Sequence, residues 1–187
     1  MTIRILDIIL SVAGLIVTLP ILFIVLFVGF ILEGSPIFLQ RRVGMGQNLF
    51  VLYKFRTMAK NTASVGTHLV DSKSVTRFGH FLRKTKIDEL PQLVNVLAGH
   101  MSLVGPRPCL PNQTELIEER EERGVFSVRP GISGIAQVNN VDMSTPRKLA
   151  RYDKLMIDQM NPSLYFRIIL LTLLGGGHGD RVGGSDV

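Results

Sequence analysis

Residues 8–32, IILSVAGLIVTLPILFIVLFVGFIL, carry no charge, and Ser11 and Thr18 are their only polar side chains. As a helix this stretch would extend roughly 37 Å at about 1.5 Å per residue, enough to cross a hydrocarbon core of about 30 Å. Pro20 lacks a backbone donor and crowds the carbonyl of Ile16, so the rod is expected to bend or break near Thr18-Leu19-Pro20. Two arrangements fit: a kinked span, or a re-entrant helix that enters, turns and leaves by the same face. Arg41, Arg42, Lys54 and Arg56 follow the segment, whereas Arg4 alone precedes it. That asymmetry places the C-terminal portion in the cytoplasm and leaves the N-terminus undecided. A cleaved signal peptide fits poorly, because its apolar region runs about 7–15 residues and ends at a small-residue cleavage site.

The chain has 187 residues and a net charge of +6. Residues 1–32 contribute only Arg4 and Asp7, so the excess lies in residues 33–187. Such a surface suits anionic lipid headgroups or phosphorylated substrates. Nucleic acid is disfavoured, because neither an aromatic-rich repeat nor a helix-turn-helix signature is present. Cys109 is the sole cysteine, which rules out an internal disulfide, fits a reducing compartment and suggests a small packed side chain. His68, His80, His100 and His178 are too scattered for zinc-type spacing.

Beyond the anchor, Glu33-Gly34-Ser35-Pro36 ends the apolar helix. Ile37–Val43 and Leu49–Met58, joined by Gly44-Met45-Gly46-Gln47-Asn48, read as a β-hairpin. Residues 60–75 have few large apolar groups and read as a surface loop. Thr76–Lys84 predicts a short helix with Phe78, Phe81 and Leu82 on one side. Another helix follows Asp88-Glu89, with Pro91 in its first turn, Leu93, Val94, Leu97 and Ala98 as its apolar face, and Gly99 as its stop. The acid-rich stretch Pro111–Arg123 reads as a solvated helical face. Residues 125–140, VFSVRPGISGIAQVNN, read as a loop with short extended pieces. Thr145-Pro146 opens a helix to about Met160, with Leu149, Tyr152, Leu155 and Met156 spaced for burial. Ser163–Leu174 forms a last apolar helix, too short to span a bilayer and suited either to the interface or to closing the core. Residues 175–187 read as a disordered tail.

The chemistry concentrates in residues 82–108, LRKTKIDELPQLVNVLAGHMSLVGPRP. On a regular helix the neighbouring Asp88 and Glu89 would diverge by about 100°, so they need different roles. Leu90 precedes Pro91 and is expected to avoid helical angles, leaving the acids just ahead of a helix start. An ionised aspartate can attack phosphorus while a neighbouring carboxylate holds a hard cation, although such pairs are also common helix caps. Arg107, between Pro106 and Pro108, has a stiff backbone that preorganises its donors for phosphate, and Arg129-Pro130-Gly131 repeats the device. Arg83, Lys84 and Lys86 add positive charge nearby.

The segments YKFRTM (53–58), IDELPQLVNVLAGHMSLVGPRP (87–108) and VRPGISGIAQVN (128–139), behind an N-terminal apolar segment, closely resemble the monotopic phosphoglycosyl transferases, a family of bacterial sugar transferases. The match covers nearly the whole chain and points to the small, single-domain members. The resemblance implies a two-step reaction. Asp88 attacks the β-phosphorus of a UDP-sugar, releasing UMP, and polyprenol phosphate (undecaprenyl phosphate) then takes the sugar phosphate as the first membrane step of a surface glycan. It further implies Mg²⁺ held by Glu89 with Asp88, phosphate contacts from Arg107 and Arg83, and substrate roles for Arg56 and Arg129. The family's re-entrant helix bends at a Ser-Pro pair; here the pair is Leu19-Pro20, with Thr18 beside it. Asn139-Asn140-Val141 stands where Asn-Gly-Arg is often found.

The expected architecture is therefore α+β and mostly helical. A re-entrant or kinked membrane helix occupies residues 1–33, followed by a catalytic domain over 34–174 with a short β-hairpin and interfacial helices. The site would lie on the cytoplasmic face of the bacterial inner membrane, among membrane lipids. A metal-dependent phosphohydrolase and a basic lipid-binding scaffold are the competing classes; a six-helix alcohol phosphotransferase is excluded because one segment alone is long enough to span. The sugar, the polyprenol length and homo-oligomer formation stay open.

Overall fold

The computed structural model describes residues 2–60, 62 and 72–176. The loop expected over 60–75 and the tail expected over 175–187 lie largely outside the described residues. Helix α1 (Thr2–Glu33) leads into an antiparallel hairpin of β1 (Ile37–Val43) and β2 (Leu49–Phe55). Helices α2 (Arg77–Lys84) and α3 (Gln92–Leu97) follow, then β3 (Ser102–Val104), α4 (Thr114–Glu122), β4 (Gly131–Ser133), α5 (Ile135–Val138), α6 (Pro146–Asp158) and α7 (Pro162–Leu173). The fold is mostly helical, as expected, and the expected hairpin pairs Ile37 with Phe55 and Val43 with Leu49. Its second strand ends at Phe55, and Met58 instead forms an isolated bridge with Val75.

Helix α1 is long and apolar enough to cross a membrane by length and composition. It continues through Pro20, so the expected interruption does not divide it. The Thr18 hydroxyl donates to the Gly14 carbonyl at 2.7 Å. It is thus engaged one turn back, and the Ile16 carbonyl opposite Pro20 has to be satisfied otherwise. One stripe of α1 is covered from end to end. Asp7, Ser11, Val25 and Gly29 are buried, with Gly14, Thr18 and Leu22 partly covered between them, a spacing of three or four residues throughout.

The cover is the rest of the chain. At the N-terminal end, Ile3, Leu6 and Leu10 pack on Val104, Met156, Tyr165 and Ile168. There Asp7 Oδ1 accepts from the Ser102 hydroxyl, the Leu103 amide and the Tyr165 hydroxyl at 2.9, 2.9 and 2.8 Å. Burial pushes the Tyr165 phenol up, reinforced by its bond to Asp7 and that residue's charge. Arg4 donates to the carbonyls of Leu97 and Met101. Midway, a side chain at Gly14 would sit 3.3 Å from the Leu93 terminal methyl. At the C-terminal end, Leu22, Val25 and Leu26 pack with Phe55, Phe78 and Leu82. A Cβ on Gly29 would approach Pro36 Cβ to 2.9 Å, so glycine permits the chain to fold straight back.

Several faces differ from the simple amphipathic reading. In α3, Val94 is exposed, whereas Gln92 and Asn95 are buried. Asn95 acts as a surrogate strand: its carbonyl oxygen accepts from the Tyr53 amide at 2.9 Å and its amide donates to the Val51 carbonyl at 2.7 Å, closing the open edge of β2. Phe81 of α2 and Leu155 of α6 are also exposed. Helix α4 is not fully solvated, since Leu116 and Arg120 are buried. The Gly/Pro-rich stretch includes the expected extended piece, β4, and an unexpected helical turn, α5. Helix α7 closes the core with Tyr165 and Ile168 and leaves Phe166, Leu170, Leu173 and Leu174 exposed.

Removing the Asp7 carboxylate would leave three donors without an acceptor. Asp7→Ala is expected to lower stability by about 2–3 kcal/mol, roughly 5–10 °C in the melting midpoint of detergent-solubilised protein, with Asp7→Asn milder.

Candidate active site

Asp88 and Glu89 lie on a 3₁₀ turn (Ile87–Glu89) between α2 and α3, in contact with both α2 and β2. Leu90 takes helical angles (φ −55°, ψ −37°) despite preceding Pro91, contrary to expectation. The Leu90 amide donates to Ile87 and the Leu93 amide to Leu90, so the turn runs almost directly into α3 and these bonds outweigh the ring's crowding. At about three residues per turn, neighbouring side chains point well apart. Accordingly Asp88 is buried, while Glu89 is partly open and meets Arg107.

Lys86 sets the entry to the turn. Its φ of 57° lies in the left-handed region, sparsely occupied by lysine, and its ammonium donates to the carbonyls of Thr172 and Gly176 at 3.3 and 2.9 Å. The acid pair is thereby tied to the end of α7. Burial lowers the Lys86 pKa, the Glu89 carboxylate opposes that, and Arg107 adds to it.

Arg107 Nη2 donates to Glu89 Oε1 at 2.6 Å, with both side chains mostly covered. A charge-assisted bond of this length aims the guanidinium at the acid turn. The loop bearing Arg107 is anchored by the parallel pair β3–β4. Gly105 donates to Ser133 at 2.8 Å and Gly131 donates to Pro106 at 2.9 Å. The two glycines allow backbone to lie on backbone: a Cβ on Gly131 would fall 2.0 Å from the Gly105 nitrogen.

Arg83, on the last turn of α2, donates through Nε to the Thr57 hydroxyl at 2.9 Å, with Thr57 itself buried. Arg56 donates to the Ser35 and Ile37 carbonyls and lies over the Phe38 ring, and Arg129 donates to the Gly99 carbonyl at the end of α3. The fold thus joins Glu89 directly to Arg107 on the turn that carries Asp88, and sets the helix of Arg83 against that turn. Arg56 and Arg129 bond backbone carbonyls, at the start of β1 and after α3. Cys109 is fully buried, as expected, and burial pushes its thiol pKa up.

Among the described residues no group of three or more His, Cys, Asp or Glu is placed to enclose a metal. Mg²⁺ ordinarily keeps several waters and is held by one or two carboxylates plus substrate phosphates. Two adjacent carboxylates with an arginine beside them fit that mode and not a closed protein cage.

Sequence reasoning missed Arg42, Arg120 and Asp153, all buried behind the Arg107 loop. Arg120 sits four residues after Leu116 and Asp153 four after Leu149, so each charge occupies a position where the helical pattern calls for an apolar residue. That mismatch was the available signal.

A family model described as bacterial sugar transferase matches residues 1–176. An uncharacterized sugar transferase, EpsL, of Bacillus subtilis (strain 168) is 42% identical over 141 residues, covering 75% of this chain and 69% of that protein. The UDP-glucose:undecaprenyl-phosphate glucose-1-phosphate transferase of Xanthomonas campestris pv. campestris is 40% identical over 151 residues, 74% of this chain but 31% of its own length. The UDP-N-acetylgalactosamine-undecaprenyl-phosphate N-acetylgalactosaminephosphotransferase of Aeromonas hydrophila is 46% identical over 112 residues, 56% of this chain and 26% of its own length. The chain thus spans about two thirds of the first and a third or less of the other two.

Gly131→Ala is expected to unseat the Arg107 loop and lower stability by about 3 kcal/mol or more, because backbone and not a mobile side chain blocks the new Cβ. Gly124→Ala, where no atom lies within 4 Å but φ is +65°, should cost only about 1 kcal/mol. Denaturant melts of the two variants check the contrast.

Proposed function

Because the chain belongs to the bacterial sugar transferase family, we propose that it moves a sugar 1-phosphate from a UDP-sugar to polyprenol phosphate, releasing UMP and forming a polyprenyl diphosphate sugar. The observation that carries the reading is the juxtaposition of a buried aspartate, Asp88, with a glutamate–arginine pair, Glu89–Arg107, on two backbone segments held rigidly by the fold. One carboxylate can then act on phosphorus while neighbouring charge meets the phosphate oxygens.

In the first step an Asp88 carboxylate oxygen forms a bond to the β-phosphorus, and the bond between that phosphorus and the bridging oxygen breaks, so UMP leaves with the bond's electron pair. The product is a mixed anhydride of Asp88 carrying the sugar phosphate. In the second step a phosphate oxygen of the polyprenol phosphate attacks the same phosphorus and restores the Asp88 carboxylate. Arg107 exchanges its bond with Glu89 for one with a phosphate oxygen, which frees Glu89. Arg83, held by Thr57, supplies further positive charge, and Arg56 and Arg129 are assigned substrate contacts at the periphery. Mg²⁺, held by Glu89 with Asp88 and by the substrate's phosphates, would neutralise charge on the phosphate oxygens.

The same reading places the protein in the bacterial inner membrane, with the catalytic domain on the cytoplasmic face. Both ends of α1 contact the domain that bears Asp88, through Asp7 at one end and Val25 and Gly29 at the other. A straight transmembrane crossing would carry one end of a helix roughly 48 Å long to the far side of the bilayer, beyond reach of a domain on the near side. The uncovered side of α1, with Ile9, Ile16, Phe23, Phe27, Phe30 and Ile31, and the open side of α7 are the surfaces assigned to lipid. A soluble sugar nucleotide and a lipid phosphate could then meet at one turn.

Radiolabelled UDP-sugars incubated with undecaprenyl phosphate are expected to give labelled lipid diphosphate and UMP in equal amounts. Asp88→Asn should lower turnover by about a thousandfold or more, and chelation should abolish it until Mg²⁺ is restored. Full activity of the Asp88→Asn protein would reject the nucleophile, and sugar phosphate released to water alone would favour a hydrolase.

A further inference from the structure

The loop that carries Arg107 is held in an unusual way. Pro106 and Pro108 have no N–H to donate, so the segment can be fixed only through its carbonyls and the single amide of Arg107. Four successive carbonyls are occupied: Pro106 accepts from the Gly131 amide at 2.9 Å, Arg107 from Arg120 Nη1 at 2.8 Å, Pro108 from Arg42 Nη1 at 2.9 Å, and Cys109 from the Val43 amide at 2.9 Å. Two of these donors are buried guanidinium groups.

Arg120 does more than fill one acceptor. Its Nε and Nη2 both donate to Asp153 Oδ2, at 2.9 and 2.7 Å, and both side chains are 2% exposed. The guanidinium bridges α6 to the Arg107 carbonyl. Removing two charges from water is costly, and a pair of apolar residues would fill the space at least as well for stability alone. Burial pushes the Asp153 carboxyl up, and the charge and hydrogen bonds of Arg120 oppose that shift. Asp153 in turn neutralises a cation placed directly behind Arg107, which would otherwise compete for the same anion. Pro108 biases Arg107 towards extended backbone angles, and the Arg120 bond holds its carbonyl in place. Lysine could not make all three bonds, because it lacks the planar fork.

We infer that Arg120 and Asp153 are positioning residues for Arg107, holding its backbone so that its guanidinium faces the phosphates of the sugar nucleotide and the lipid acceptor. This rests on the phosphate-contacting reading of Arg107 under the proposed function.

The test compares the parent protein with Arg120→Lys and with the double variant Arg120→Met/Asp153→Leu, which removes the pair without stranding a charge. Amide hydrogen exchange at Gly105 and Gly131 is expected to accelerate at least tenfold in both variants, while amides of α2 and α7 keep their parent rates. Transfer from UDP-sugar to undecaprenyl phosphate should fall at least tenfold in kcat, but by no more than twofold when the same replacements are made in an Arg107→Ala background. Unchanged exchange at Gly105 and Gly131, uniform acceleration of all amides, or a kcat loss of equal size in the Arg107→Ala background would each overturn the assignment. If the parent transfers no sugar phosphate, the transferase reading fails, and the exchange pattern alone decides whether the pair holds the loop.

Discussion

The structure depends on a single packed seam: one stripe of α1, from Asp7 to Gly29, lies against the rest of the chain along nearly its whole length. Each polar side chain and each glycine from Asp7 to Gly29 falls on that stripe or at its margin: Asp7, Ser11, Gly14, Thr18 and Gly29. This is the division expected where one side meets protein and the other meets hydrocarbon. Small residues allow close approach, and polar groups are kept from lipid; Asp7 and Thr18 have hydrogen-bond partners, whereas the buried Ser11 hydroxyl has none. Asp7 is the clearest case, a carboxylate in an apolar helix that accepts three bonds from β3 and α7.

The seam also places the chemistry. Residues that cover α1 belong to α3, β2, α2 and α7, the elements that flank or brace the acid turn. Lys86 joins that turn to the end of α7, and Arg107 reaches it from the loop after β3. In the proposed reaction the acid pair is therefore fixed relative to the lipid surface by the same contacts that hold the domain together. In that proposed reaction the Glu89–Arg107 bond would keep both charges partnered until phosphate oxygens replaced the carboxylate.

Much of this was legible in the sequence where the signal was local. The hairpin followed from β-formers on either side of a glycine turn, and the ends of α2, α3 and α6 from Thr76, Gly99 and Pro146. The acid pair and Arg107 stood out because their neighbours are stiff and the spacing was familiar. What was not legible depends on partners distant in sequence. Arg120 lies among glutamates and reads as solvated, yet its partner Asp153 is on another helix. Asn95 looks like a polar residue on a helix and in fact completes a strand edge. Strands β3 and β4 are three residues each and rich in glycine and proline nearby, too short for alternation to register. Leu90 followed its hydrogen bonds and not the local preference imposed by Pro91.

The central claim is that α1 has both ends on the side where the catalytic domain lies. Its direct measurement is labelling of single cysteines, Thr2→Cys before the helix and Asn112→Cys on the domain, with a membrane-impermeant maleimide; native Cys109 is buried and serves as a silent background. Intact cells are expected to leave both positions unlabelled, and permeabilised cells to label both. Labelling of the Thr2→Cys protein from outside intact cells, with Asn112→Cys still protected, would contradict the account.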